Sequence, residues 1–182
     1  RDNVTLILDD GEEATQYAEN SNGIRFLKRG DELQMEVPLV PYNALGSPED
    51  EYAALLTDRE GGEVRLFAVD KVYHGKYFAF IVDGDSMDDG TRKSFARGDC
   101  VLVRELDRDD WRPHLHLKDW PYWVVAWSNC VRLKEIIRQE GDIITLHSLN
   151  PSPEYTDFTL DLNQVFRLFN VVQVQPMVRV WK

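Results

Sequence analysis

From Glu63 onward the chain is a succession of short runs rich in Val, Ile, Phe, Tyr and Trp, broken by Gly, Asp and Asn, and this spacing restricts the fold more than any other feature. Branched and aromatic side chains suit a pleated, half-buried surface, and runs of this length are too short for stable helices. The predicted strands are Glu63–Val69, Tyr77–Val82, Cys100–Glu105, Tyr122–Trp127, Val131–Arg138, Ile143–Ser148 and Val165–Val180. Glu140-Gly141-Asp142 supplies a tight hairpin turn between two of them. The expectation is a mainly β domain with an irregular acidic loop from Asp107 to Asp119.

Upstream the character differs. Residues 1–36 are polar, with charge clusters at Asp9–Glu13 and Lys28–Glu32 and only short apolar fragments at Val4–Leu8 and Ile24–Leu27. They read as a polar N-terminal arm or linker carrying one strand, leaving residues 37–182 as the domain proper. Val37-Pro38-Leu39-Val40-Pro41 is extended, because each proline turns its predecessor away from helix. Ser47 to Leu56 reads as a short helix: Ser47 can cap it, Pro48 suits its first turn, and Glu49, Asp50 and Glu51 favour its positive end.

Charge narrows the partners. Acidic residues outnumber basic ones 32 to 21, a net charge of −11 that repels phosphate backbones, so direct DNA binding by this segment is disfavoured. No apolar run approaches the roughly 20 residues of a membrane span, and no secretory leader opens the chain. Cys100 and Cys130 lie apart in apolar runs and read as buried free thiols, in keeping with a cytoplasmic location. The chain begins at Arg1, which leaves room for an upstream domain.

Chemistry concentrates around Phe80-Ile-Val-Asp-Gly-Asp-Ser-Met87, followed by Gly98-Asp-Cys-Val-Leu-Val103. A strand running into Gly84-Asp85-Ser86-Met87 presents the serine at a sharp turn, with neighbouring N–H groups free to stabilise an oxyanion. Taken alone, Gly-Asp-Ser is more often a plain turn. Lys134, in Val131-Arg-Leu-Lys-Glu-Ile-Ile137, alternates with Val131, Leu133 and Ile137 and shares a face with Arg132, the pattern of an outward lysine. It could serve as a base only if packing from elsewhere desolvated it.

Other motifs are weaker. Neither a Gly-x-Ser-x-Gly elbow nor Ser-x-x-Lys is present. His114 and His116 could share one side of a strand but lack a third ligand, so no metal and no other cofactor is expected. The aromatic set Trp111, Trp120, Tyr122, Trp123 and Trp127 lacks interleaved basic residues and reads as core or interface.

In order along the chain, Gly84-Asp-Ser-Met87, Gly98-Asp-Cys-Val-Leu-Val103, Leu133-Lys-Glu-Ile136 and Ile144-Thr-Leu-His-Ser-Leu-Asn-Pro151 resemble the C-terminal domain of LexA-like and phage cI-type repressors, the S24 peptidase family. Val37-Pro-Leu-Val-Pro41, Gly75-Lys-Tyr77 and Ser148-Leu-Asn-Pro-Ser-Pro-Glu-Tyr155 are similar to a Bacteroidetes-type branch, and the likeness runs from about Val37 to Val174. The resemblance implies a strongly bent β structure of the β-clip type. It implies Ser86 as nucleophile, Lys134 as general base, and the backbone N–H groups of Ser86 and Met87 as oxyanion donors. It also implies self-cleavage of a linker, homodimerisation through strands near the C-terminus, a RecA filament as inducing partner, and DNA binding through an upstream helix-turn-helix domain. The family cuts at Ala-Gly or Cys-Gly; neither dipeptide occurs here, and the corresponding place is Ala44-Leu45-Gly46-Ser47. Three readings therefore stand: a self-cleaving regulator domain, a dimerisation module without proteolysis, and a signal-peptidase-like hydrolase, which would want the membrane anchor not seen here.

Overall fold

The computed structural model describes residues 5–7, 13–40, 62–128 and 130–181. Among these, twelve strands form two antiparallel sheets. The first sheet holds, in spatial order, β1 (Thr5–Ile7), β2 (Glu13–Glu19), β3 (Arg25–Arg29), β4 (Glu32–Pro38) and β5 (Val64–Val69). The second is built from β6 (Tyr77–Ile81), β7 (Cys100–Glu105), β8 (Tyr122–Trp127), β9 (Cys130–Glu140), β10 (Ile143–His147), β11 (Phe158–Asp161) and β12 (Val165–Gln175). Its spatial order is β11-β10-β9-β8-β12-β7-β6, so β12 returns to lie between β8 and β7.

The mainly β expectation holds, and the later strands fall close to the predicted runs. Gly141, at φ +60°, makes the β9–β10 turn in the left-handed region that glycine enters without strain. The polar segment read as an arm with one strand is instead paired throughout its described part. In β3 both Phe26 and Leu27 are fully buried, whereas in β4 Met35 and Val37 turn inward to pack with Phe67, Tyr77, Ala79 and Leu102 and their neighbours are only partly covered. Half-buried strands such as β4 look polar in composition although they alternate correctly. Asn20 fixes this sheet to the next: its side-chain oxygen accepts from the N–H groups of Asn22 and Ile24, and Nδ2 donates to the carbonyls of Tyr73 and Gly75.

Two other expectations change. The predicted strand Val165–Val180 ends at Gln175, one residue before Pro176, and Phe158–Asp161 forms a strand that its few apolar residues did not announce. Within the acidic loop, Arg108–Trp111 forms a 3-10 turn that buries Trp111. The predicted helix at Ser47–Leu56 lies outside the described residues.

Four bulges bend the sheets. Each inserts one residue that has no cross-strand partner: Tyr17 in β2, Ile137 in β9, Phe166 in β12 and Val172 in β12. All four side chains are exposed, because the extra residue leaves the ladder and turns outward. β9 is covered on both faces: Val131 and Leu133 enter one core and Ile136 the other, while the bulged Ile137 is left exposed. The second sheet encloses two cores. One gathers Val40, Phe78, Phe80, Val82, Met87, Val101, Val131, Leu133 and Phe169; the other surrounds Trp123, Ile136, Ile144, Leu146 and Leu168. Among the described residues, no helix is long and apolar enough to cross a membrane.

Candidate active site

Ser86 sits in a loop whose base is tied shut. Val82 N donates to Asp99 O at 2.8 Å and Gly98 N returns to Val82 O at 2.9 Å, so the chain leaves β6 and re-enters β7 at one place. Gly84 has φ +87°, which turns the chain sharply one residue before Asp85. Within the loop Asp88 N donates to Asp85 O, and Phe95 N donates to Met87 O. The Met87 side chain is buried in the core with Phe95 and pins the turn from beneath. Arg97 pairs with Asp83 at 3.2 Å and Asp85 at 3.6 Å on the outer rim. Ser86 is left half-buried at the tip.

Lys134 approaches from β9. Alternation with exposed Arg132 predicts an outward side chain, yet Lys134 is only 6% exposed. The covering comes from the segment after β10, distant in sequence, which periodicity within one strand cannot report. Its amine donates to Ser148 Oγ at 2.7 Å, and Ser148 is itself buried. Desolvation, with a smaller contribution from the nearby Arg132 guanidinium, holds the Lys134 pKa below the ordinary lysine value. Among the described residues no carboxylate pairs with it to favour the charged form.

Ser86, Met87 and Lys134 line one cavity of about 370 Å³, together with Val82, Val131, Leu133 and Tyr155. No direct Ser86–Lys134 hydrogen bond is present among the described residues; the amine's partner is Ser148. Asn150 closes the arrangement from the other side: its N–H donates to Ser86 O at 3.0 Å and its Nδ2 to Asp85 O at 2.9 Å. Ser148 and Asn150 belong to a motif noted in the sequence, but nothing in their residue types announced these contacts.

The cavity has an open strand edge as one wall. On its outer side β9 is paired with β10 only from Glu135 to Glu140, leaving Cys130–Lys134 paired with β8 alone. Ile136 N donates to Pro121 O, and strict alternation then turns the N–H and C=O groups of Val131 and Leu133 toward the open side. Extending the β10 register would bring Pro151 opposite Val131 (135 pairs with 147), where a proline has no N–H to give.

Residues 38–172 match the Peptidase S24-like family. The chain belongs to this family. A search of curated proteins finds no match, and the family match speaks to no particular branch. Serine peptidases need a hydroxyl, a proton acceptor and donors for an oxyanion, and Ser86, Lys134 and the N–H groups of the Ser86 loop are the candidates for these roles in this S24-like domain. Among the described residues neither Ser86 N nor Met87 N donates to a main-chain acceptor. The candidate cleavage residues Ala44, Leu45, Gly46 and Ser47 lie outside the described residues. His114 and His116 stack edge to face at 5.8 Å, and among the described residues no group of three metal-ligating side chains forms.

Proposed function

We propose that this domain is the regulatory part of a LexA- or cI-like repressor and cleaves its own linker with Ser86 as nucleophile and Lys134 as base. The observation that carries the reading is a desolvated lysine amine lining the same cavity as a serine at the tip of a glycine turn. A neutral amine has two N–H donors and one lone pair. With one N–H given to Ser148, the lone pair can take the Ser86 Oγ proton as Oγ attacks the scissile carbonyl carbon. The carbonyl oxygen becomes an oxyanion facing the N–H groups of Ser86 and Met87. The Lys134 ammonium then protonates the departing amine as the C–N bond breaks. Water, deprotonated by the same amine, releases the acyl group from Ser86 and restores both side chains.

The substrate segment is read as the chain's own. Val40, the last described residue before the candidate region, packs with Val82, Met87, Val131 and Leu133 at the cavity. Four further residues reach about 14 Å when extended, enough to bring Ala44–Ser47 to the Val131–Leu133 edge. Dimerisation is read from the C-terminal segment, where Val172, Val174, Val178 and Val180 recur at every second or fourth position and are exposed. A dimer would let two upstream DNA-binding domains engage two half-sites together, and cutting the tether would cancel that gain.

Alkaline incubation, or incubation with an activated RecA filament, followed by intact mass spectrometry tests cleavage. A new terminus between Pro41 and Ser47, lost in Ser86→Ala and in Lys134→Ala, supports the peptidase. An uncut chain under both conditions leaves the second reading, a non-cleaving dimerisation module. That reading is favoured by the absence of Ala-Gly and Cys-Gly and by an amine bonded to Ser148 rather than Ser86.

A further inference from the structure

The segment Ser148-Leu149-Asn150 touches both halves of the candidate site at once. Ser148 Oγ accepts from the Lys134 amine at 2.7 Å, while Asn150 grips the Ser86 turn through Ser86 O and Asp85 O. Only Leu149 separates the two contacts, and it packs against the core formed by Val82, Met87, Val131 and Leu133. The bridge is therefore short and anchored in the middle.

We infer that Ser148 is a positioning residue for the Lys134 amine and that Asn150 is its counterpart for the Ser86 turn, the two together setting the distance and orientation between base and nucleophile. The inference deepens the Ser86–Lys134 reading and rests on it for its catalytic meaning. Its physical content is separate. Donation of one N–H to Ser148 fixes rotation about the Cε–Nζ bond, and Ser148 is the amine's hydrogen-bond partner among the described residues. The lone pair is thereby aimed away from Ser148 and into the cavity. Without that acceptor the amine turns among its staggered positions and the long side chain regains rotamer freedom, so the lone pair meets Ser86 only part of the time. Ser148 also acts on charge. An acceptor stabilises an ammonium more than a neutral amine, so its removal makes the protonated state still less favourable.

These consequences separate positioning from mere support of the fold. The experiment uses the whole chain with ¹³C-labelled lysine, following the Lys134 Cε resonance through a pH titration, alongside pH profiles of cleavage. Expected for Ser148→Ala is a titration midpoint below that of wild type. The rising limb of the cleavage profile moves the same way, and the plateau rate falls by about 10-fold. Ser148→Thr, which keeps the hydroxyl, restores midpoint and plateau. Asn150→Ala leaves the Lys134 midpoint in place and speeds deuterium exchange at the Asp88 and Phe95 amides, which are bonded within the Ser86 loop. Identical Lys134 midpoints in wild type and Ser148→Ala overturn the proposal, as does an Asn150→Ala midpoint that moves as far as that of Ser148→Ala. A wild-type chain that never cleaves defeats the peptidase reading alone, and the titration still decides the role of Ser148.

Discussion

Replacing Lys134 with Met tests whether the folded domain holds this amine without its proton. The substitution keeps length and apolar bulk, so the stability difference isolates the amine. In the unfolded chain the group titrates near its ordinary value of 10.5, and in the fold its pKa is lower, because burial and then Arg132 disfavour the charge. Below the folded pKa both states carry the proton, and the native state bears the whole cost of holding an ammonium away from water. Between the folded pKa and 10.5 the unfolded chain binds one more proton than the native one, so wild-type stability rises with pH by up to about 1.4 kcal/mol per unit. Above 10.5 neither state binds it and the cost is gone. The Lys134→Met variant lacks this dependence. Its advantage over wild type is therefore largest at low pH and shrinks with that limiting slope as pH rises toward 10.5. A roughly constant offset of about 1 kcal/mol against the variant comes from the Ser148 hydroxyl, which loses its donor. Urea unfolding followed by tryptophan fluorescence at a series of pH values from 6 to 10 measures the difference. A difference that stays flat across the series would mean that the folded amine keeps its proton, and the base role would lose its footing.

Phe169, fully buried and edge-to-face with both Phe78 and Phe80, should cost about 3–5 kcal/mol when replaced by Ala, read as a lowered urea midpoint. Asn20→Ala strands two N–H groups and two carbonyls at the junction of the sheets, and about 2–3 kcal/mol of stability should be lost, with faster amide exchange at Ile24. Gly84→Ala meets no atom within 4 Å, so its expected loss of about 1–2 kcal/mol is backbone strain alone, measured by the same unfolding assay. Val178→Asp with Val180→Asp should convert a dimer to monomer in sedimentation velocity while leaving the circular dichroism unchanged, since both side chains are exposed.

The strands from β5 onward, β11 apart, were legible because each carries enough branched and aromatic residues to declare itself. Cys100–Glu105 and Tyr122–Trp127 begin and end where the residue types change. β2 and β4 were hidden because half-buried strands leave a polar average, and only the partner sheet reveals which face is which. On β9 the reading of Ile137 as an inward residue failed because Ile137 is itself the bulged residue, which leaves the ladder and turns outward. Ser86 was visible as a serine at a glycine turn after a strand. The burial of Lys134 was not, because its cover is Ser148, fourteen positions away and on another strand's end. Local periodicity describes a residue's own strand and is blind to what crosses over it.

The short stretch of β9 that β10 leaves unpaired has an effect beyond the hairpin. A bare sheet edge invites any extended chain to join it, and proteins commonly blunt such edges. Here the vacancy is rationed to the two backbone positions at Val131 and Leu133 and set beside the Ser86 loop. So short a gap gives a foreign strand too few bonds to seed aggregation, yet it suffices to seat one tethered peptide in register. On the proposed reading, selectivity for the chain's own linker needs no moving lid: it follows from how many residues of β9 are paired by β10.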